Sequence, residues 1–212
     1  VSHILNRGAE WYKGLCLSNP KSTGTKLISV CGHVQRPGNY EVTMGTPMKD
    51  LIFDMCGGMK PGRTLKAVIP GGSSVPIMTA AETEDCLLDY EGVVARGSML
   101  GSGGMIVMDD STDMVYQIWR LARFYAHESC AQCTQCREGT AWTTKILERI
   151  LAGKGKASDL DLLLSLSENM TGKTICVLSD SCAAPIVSGI AKFRSEFDAY
   201  LSGARQPALA MA

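Results

Sequence analysis

The stretch Glu128-Ser129-Cys130-Ala131-Gln132-Cys133-Thr134-Gln135-Cys136-Arg137-Glu138-Gly139 lies between two apolar patterns of helical period. Before it, Val115, Ile118, Trp119, Ala122 and Tyr125 recur at helical spacing; after it, Trp142, Ile146, Ile150 and Leu151 do the same, with Gly153 as a stop. This predicts a turn joining two helices, the second running over about residues 137–152. Three cysteines fall in that turn, each two residues from the next. A loop this tight can aim three thiolates at three corners of one iron–sulfur cubane. Zinc is the competing metal, but structural zinc sites usually draw their ligands in two separated pairs. A fourth ligand must come from elsewhere. Cys176 follows the glycine that ends a later helix and sits on the loop before the last one; Cys182 is the alternative. The loop of residues 130–136 also lies at a helix start, where backbone N–H groups and the positive end of the helix dipole offset cluster charge. Arg137 adds a nearby cation.

Further along, Ser158 with Asp161 three residues on reads as a capping box. It opens a helix carrying Leu160, Leu163, Leu164 and Leu166 that ends before Gly172. Another helix is expected from Pro185, with Ile186, Ile190, Phe193, Phe197 and Leu201 on one side. Asp110, Ser111 and Thr112 form a capping cluster for the first of the series. Amphipathic helices joined by short links favour an antiparallel bundle, here a four-helix bundle over residues 109–203. Residues 204–212 read as a frayed tail.

The first half has a different texture. Residues 26–34 and 40–44 read as strands around the turn Arg36-Pro37-Gly38-Asn39. Thr46-Pro47 opens a short helix with Leu51, Ile52 and Met55, closed by Gly57-Gly58. Residues 65–69 and 105–108 are further strands. Residues 26–108 are thus a small mixed sheet packed about one helix, and the fold class is α+β. Pro70-Gly71-Gly72-Ser73-Ser74 has the composition of a phosphate cradle, but no helix start with a lysine follows, which favours a plain turn.

Composition bounds the function. Lysine plus arginine equals aspartate plus glutamate at 21 each, so the basic excess of a nucleic-acid binder is missing. No apolar run is long enough to span a bilayer, so direct membrane insertion is not expected. Nine cysteines are an odd number and cannot all pair. With no export signal at the start, they indicate a reducing compartment, where a dense cysteine cluster means metal more often than disulfide. Cys16, Cys31, Cys56 and Cys86 stand singly on apolar segments and read as core residues. His127 reads as a packing or hydrogen-bonding side chain beside the cysteine loop. The chain starts without methionine, which suggests a processed chain or a fragment.

The segment ESCAQCTQCREG, the Thr-Ala-Trp that follows, the TICVLSD stretch about forty residues after Cys136, and Pro185 resemble in order and spacing the cluster region of the NADH-binding flavoprotein subunit of respiratory complex I. Upstream, GTKLISVCGHVQRPGNYEV and LKAVIPGGSSVPI resemble that subunit's ubiquitin-like, soluble-ligand-binding β-grasp domain. The resemblance spans about residues 1–203. Flavoprotein subunits of NAD-reducing hydrogenases and NAD-dependent formate dehydrogenases share the plan. It implies one 4Fe-4S cluster on Cys130, Cys133, Cys136 and Cys176, receiving single electrons from FMN that NADH has reduced and passing them to adjoining iron–sulfur subunits. It places Val177 and Leu178 near FMN. It makes residues 1–25 a connecting segment from an absent FMN/NADH domain, so the chain alone should not oxidise NADH. It implies a peripheral position on the cytoplasmic side of a bacterial inner membrane or the matrix side of the mitochondrial one. Gln135 departs from a proline often found there in the family; Cys182 and Ala184 depart from an alanine and a tryptophan.

Overall fold

A computed structural model of the chain describes residues 1–18 and 21–208, in two compact units, Val1–Ser111 and Thr112–Ala212. In the first unit, among the described residues, five strands form one sheet: β1 (Thr25–Gly32), β2 (Gly38–Thr43), β3 (Leu65–Ile69), β4 (Met78–Thr79) and β5 (Gly104–Asp109). Their order is β2-β1-β5-β3-β4. β1 and β5 run parallel, with Val30 opposite Met105, and the other neighbours are antiparallel. This is the mixed sheet of a β-grasp domain. Alternation on β1 sends Ile28 and Val30 inward and leaves Leu27, Ser29 and Cys31 outside. Cys31 is therefore exposed rather than a core residue, whereas Cys56 and Cys86 are buried as expected.

The helix after Thr46-Pro47 forms, but its residues Asp50–Met55 are π-helical, with Cys56 N–H bonding five residues back to Leu51. That wider turn brings Leu51 and Ile52 into the core with Met48, Val68, Met105 and Val107. Gly57 and Gly58 both take positive φ and stop it, as their residue type allows. Short helices that the sequence pattern did not reveal are α1 (Ser2–Arg7), α2 (Ala9–Lys13), α3 (Ala80–Thr83) and α4 (Tyr90–Ala95). Thr79 and Glu82 form a complete capping box on α3, and the Asp89 carboxylate caps α4.

The second unit holds α5 (Met114–Glu128), α6 (Thr134–Leu151), α7 (Asp159–Met170), α8 (Leu178–Lys192) and α9 (Arg194–Leu201). α5 packs on α6 and α8, and α7 packs on the same two, giving a four-helix bundle with a short fifth helix. Four details differ from expectation. The cap of α5 is Asp113, accepting from Tyr116 N–H, rather than the cluster just before it. α8 starts at Leu178, so Pro185 lies inside it; the first turn is secured by Ser181 N–H on Val177 C=O, and Pro185 costs one bond at mid-helix. The expected long last helix breaks at Phe193, which lets Phe193, Phe197 and Tyr200 all reach the core. At Ser158 no capping box forms. Asp159 is instead buried, accepting from Lys156 N–H and pairing with Arg149 of α6. The tail is held as far as it is described: Arg205 pairs with Asp113 and Glu196, and Ala208 N–H bonds Leu151 C=O. Asn19 and Pro20 of the connecting segment and residues 209–212 of the tail lie outside the described residues.

Candidate metal centre

The three-cysteine run occupies the corner between α5 and α6. Ser129 ends α5 in extended geometry, Cys133 is the N-cap of α6, and Cys136 stands in its first turn. Cys136 is 7% exposed, Cys133 is half-buried and Cys130 is exposed. Between Cys130 and Cys133 the chain turns through Ala131, at φ 65°, the one non-glycine with positive φ among the described residues. Alanine has no polar side chain to support that conformation, so the turn is held from outside. Ala131 N–H donates to Ser129 Oγ at 3.3 Å, and Arg137 Nη1 donates to Ala131 C=O at 2.9 Å. Ser129 Oγ also lies 3.2 Å from Cys136 Sγ. The Arg137 charge is shared with Glu138, 2.9 Å from its Nε.

Cys176 stands on the loop between α7 and α8, exposed. Ile175 N–H donates to Cys133 Sγ at 3.5 Å, so this loop reaches the three-cysteine turn from 42 positions away in sequence. The four sulfurs are not closed around one point: among the described residues no three thiol, imidazole or carboxylate groups are gathered tightly enough to hold a single metal ion. What the corner offers is four thiols from two adjoining loops, a helix N-terminus and a backbone N–H aimed at one sulfur. That donor set fits an iron–sulfur cluster, whose potential responds to hydrogen bonds on its sulfurs and to nearby charge.

Cys182 stands apart from this set. It is fully buried in α8, and burial, with a smaller push from Cys136, raises its thiol to about 12. Burial likewise raises Cys86 to about 11. Val177, 73% exposed, is the N-cap of α8, and Leu178 is its first residue. His127 is exposed at the last turn of α5. The glycines at 71 and 72 are taken up by backbone: Gly72 N–H bonds Gly104 C=O, and Ser102 N–H bonds Gly71 C=O. The polar residues around the cysteines that the sequence did not single out are Ser129, Thr174 and Ser179. Small hydroxyls carry no spacing signal, and only the fold of the turns brings them to the site.

Two family models match the chain in succession: the SLBB domain over residues 26–116, and the NADH-ubiquinone oxidoreductase-F iron–sulfur binding region over residues 116–200. The chain is thus of the class in which an SLBB domain of β-grasp fold precedes a helical 4Fe-4S binding region. Its second unit matches the iron–sulfur region of NADH-quinone oxidoreductase-F proteins, to which the chain is similar. It is 46% identical over 199 residues to the NADH-quinone oxidoreductase-F protein of Rickettsia bellii (strain OSU 85-389), covering 93% of this chain and 47% of the relative. It is 47% identical over 196 residues to such a protein of Rhizobium meliloti (strain 1021), covering 92% of this chain and 45% of the relative. The chain therefore spans about half the length of these relatives. Among solved structures it is similar to an NAD+-reducing [NiFe]-hydrogenase in the air-oxidized state, with TM-score 0.81 and 33% identity over 99% of this chain and 34% of that one. No helix among the described residues is long and apolar enough to cross a membrane.

Proposed function

We propose that this chain is the electron-relay portion of an NADH-quinone oxidoreductase subunit, holding one 4Fe-4S cluster on Cys130, Cys133, Cys136 and Cys176. One observation carries the reading: the 3.5 Å contact of Ile175 N–H with Cys133 Sγ joins the loop of the fourth cysteine to the loop of the other three. When bound, such a cluster supplies a one-electron relay. The chain's own residues hold and bias it. The four thiolates bind iron. The free N–H groups and dipole of the α6 N-terminus favour negative charge there, and Arg137 fixes the Ala131 turn.

In this reading, residues 1–25 link to a domain that holds FMN and NADH, and Val177 and Leu178 face the flavin. Residues 26–108 form a β-grasp domain that packs on that domain or on partners, 109–203 carry the cluster, and 204–212 are a tail. The partners are adjoining iron–sulfur subunits. The assembly lies on the cytoplasmic side of a bacterial inner membrane or the matrix side of a mitochondrial one. The likeness to an NAD+-reducing hydrogenase favours a second reading, the equivalent part of a hydrogenase; the co-purifying subunits decide between the two.

The test is anaerobic reconstitution of the chain followed by metal analysis and EPR. About four iron and four sulfide per chain, with an EPR signal on reduction, are expected. Cys133→Ser should cripple assembly. One zinc, no sulfide and no colour would sink the proposal.

A further inference from the structure

We infer that Thr174 and Ser179 form a hydroxyl latch that holds the loop of Cys176 in place as the cluster's fourth ligand arm, and that Thr174 is a positioning residue for the relay. The inference rests on the cluster reading above and goes beyond its ligand set.

The loop of residues 171–177 has little apolar burial to fix it. Ile175 is 85% exposed and Val177 73%, and Cys176 between them is exposed as well. A loop of this kind is mobile unless polar contacts hold it. Those contacts converge on the start of α8. Gly172 N–H donates to Asp180 Oδ1 at 2.9 Å, which anchors the beginning of the loop. Thr174 Oγ1 lies 2.8 Å from Cys176 C=O and 2.6 Å from Ser179 Oγ. Ser179 is fully buried in the first turn of α8.

Each hydroxyl has one proton, so the shortest set of bonds is a chain. Ser179 O–H donates to Thr174 Oγ1, and Thr174 O–H donates to Cys176 C=O. The longer approaches of Ser179 Oγ to Met170 C=O at 3.2 Å and Asp180 Oδ2 at 3.4 Å are its fallback partners. The chain fixes the peptide plane immediately after Cys176, and with it the direction of the Cys176 side-chain bond. It also sets the Ile175 peptide, whose N–H donates to Cys133 Sγ. One threonine thus supports both the delivery of the fourth thiolate and a hydrogen bond to the sulfur of another ligand. Hydrogen bonds to ligand sulfur stabilise the more negative, reduced state, so their loss lowers the potential.

Thr174→Val keeps the shape and removes both bonds; Thr174→Ser keeps both. In the reconstituted full chain, Thr174→Val is expected to let iron fall from about four towards about three per chain while sulfide holds, to alter the EPR line shape, and to lower the midpoint potential of the cluster that remains. Thr174→Ser should restore all three. In the iron-free chain, amide exchange at Ile175 should be at least about tenfold faster in Thr174→Val than in the parent or Thr174→Ser. Wild-type iron content, line shape and potential in Thr174→Val would overturn the inference, as would equal exchange at Ile175 in all three chains. A parent chain that takes up no iron would count against the cluster reading instead, and the exchange measurement would still decide the latch.

Discussion

Ala131 and Cys182 show how differently single residues of the corner can be read. The spacing of the three cysteines is a chemical signal carried by sequence alone, because a short, turning stretch can aim three thiolates at corners of one cubane. Ala131 carries no such signal. Its residue type argues against a left-handed conformation, and it adopts one because Ser129 and Arg137 hold the peptides on either side. The fourth ligand is where two readings of the sequence compete, and burial supports the proposed one. Cys176 is exposed on a loop that reaches Cys133, whereas Cys182 is sealed in α8. Cys182→Ala is therefore expected to keep full iron and sulfide, at a cost of about 1 kcal/mol in stability for the small cavity. Cys176→Ser should lose iron. Metal analysis of the two variants side by side checks this, and loss of iron from Cys182→Ala alone would reverse the assignment.

At the scale of elements, what is legible follows from periodicity. β1, β2, β3 and β5 fall within a few residues of the expected strands: β1 alternates into the core, and β3 ends in the buried apolar run Ala67, Val68, Ile69. β4 with two residues and α3 with four are too short to show a period. The π-helical turn at Asp50–Met55 has the composition of an α-helix and is invisible in sequence for that reason. Helix starts differ from expectation where a local rule meets a deciding contact that is not local. Pro185 looks like a first-turn proline, yet α8 is already under way. Ser158 looks like a cap, yet Asp159 performs the joining role from inside the helix. Its carboxylate is 2% exposed and accepts from Arg149 Nε at 3.1 Å and Lys156 N–H at 2.9 Å, tying the end of α6 to the start of α7. Asp159→Asn leaves the buried part of Arg149 without its counter-charge. Because about a third of the Arg149 side chain meets water, the expected loss is about 2–3 kcal/mol rather than the larger penalty of a fully buried pair. A urea titration of the full chain reads it; an unchanged midpoint would remove this pair from the forces that set the bundle.

The whole molecule raises the question of how much of a redox reaction 212 residues contain. The sheet order β2-β1-β5-β3-β4 cannot be reached from strand patterns, since the parallel pairing of β1 with β5 joins segments about seventy residues apart. The family resemblance supplies it. The division of labour is clearer: one unit is a β-grasp domain, and the other carries the cysteines on helix corners. Neither offers a phosphate cradle at the glycine-rich turn of residues 70–74, whose backbone is engaged with the chain at 101–104. The chain spans about half of its relatives, and the reading proposed above puts the NADH-oxidising step on the other half. The reconstituted chain is accordingly expected to show no NADH-dependent ferricyanide reduction, while its reduced cluster should still be oxidised by ferricyanide when charged with dithionite. Adding a separately made FMN-loaded N-terminal domain should bring NADH-dependent reduction back, and Cys176→Ser should abolish fast reduction of the cluster in that mixture. Robust NADH oxidation by the chain on its own would place a nucleotide site within these two units and overturn the division.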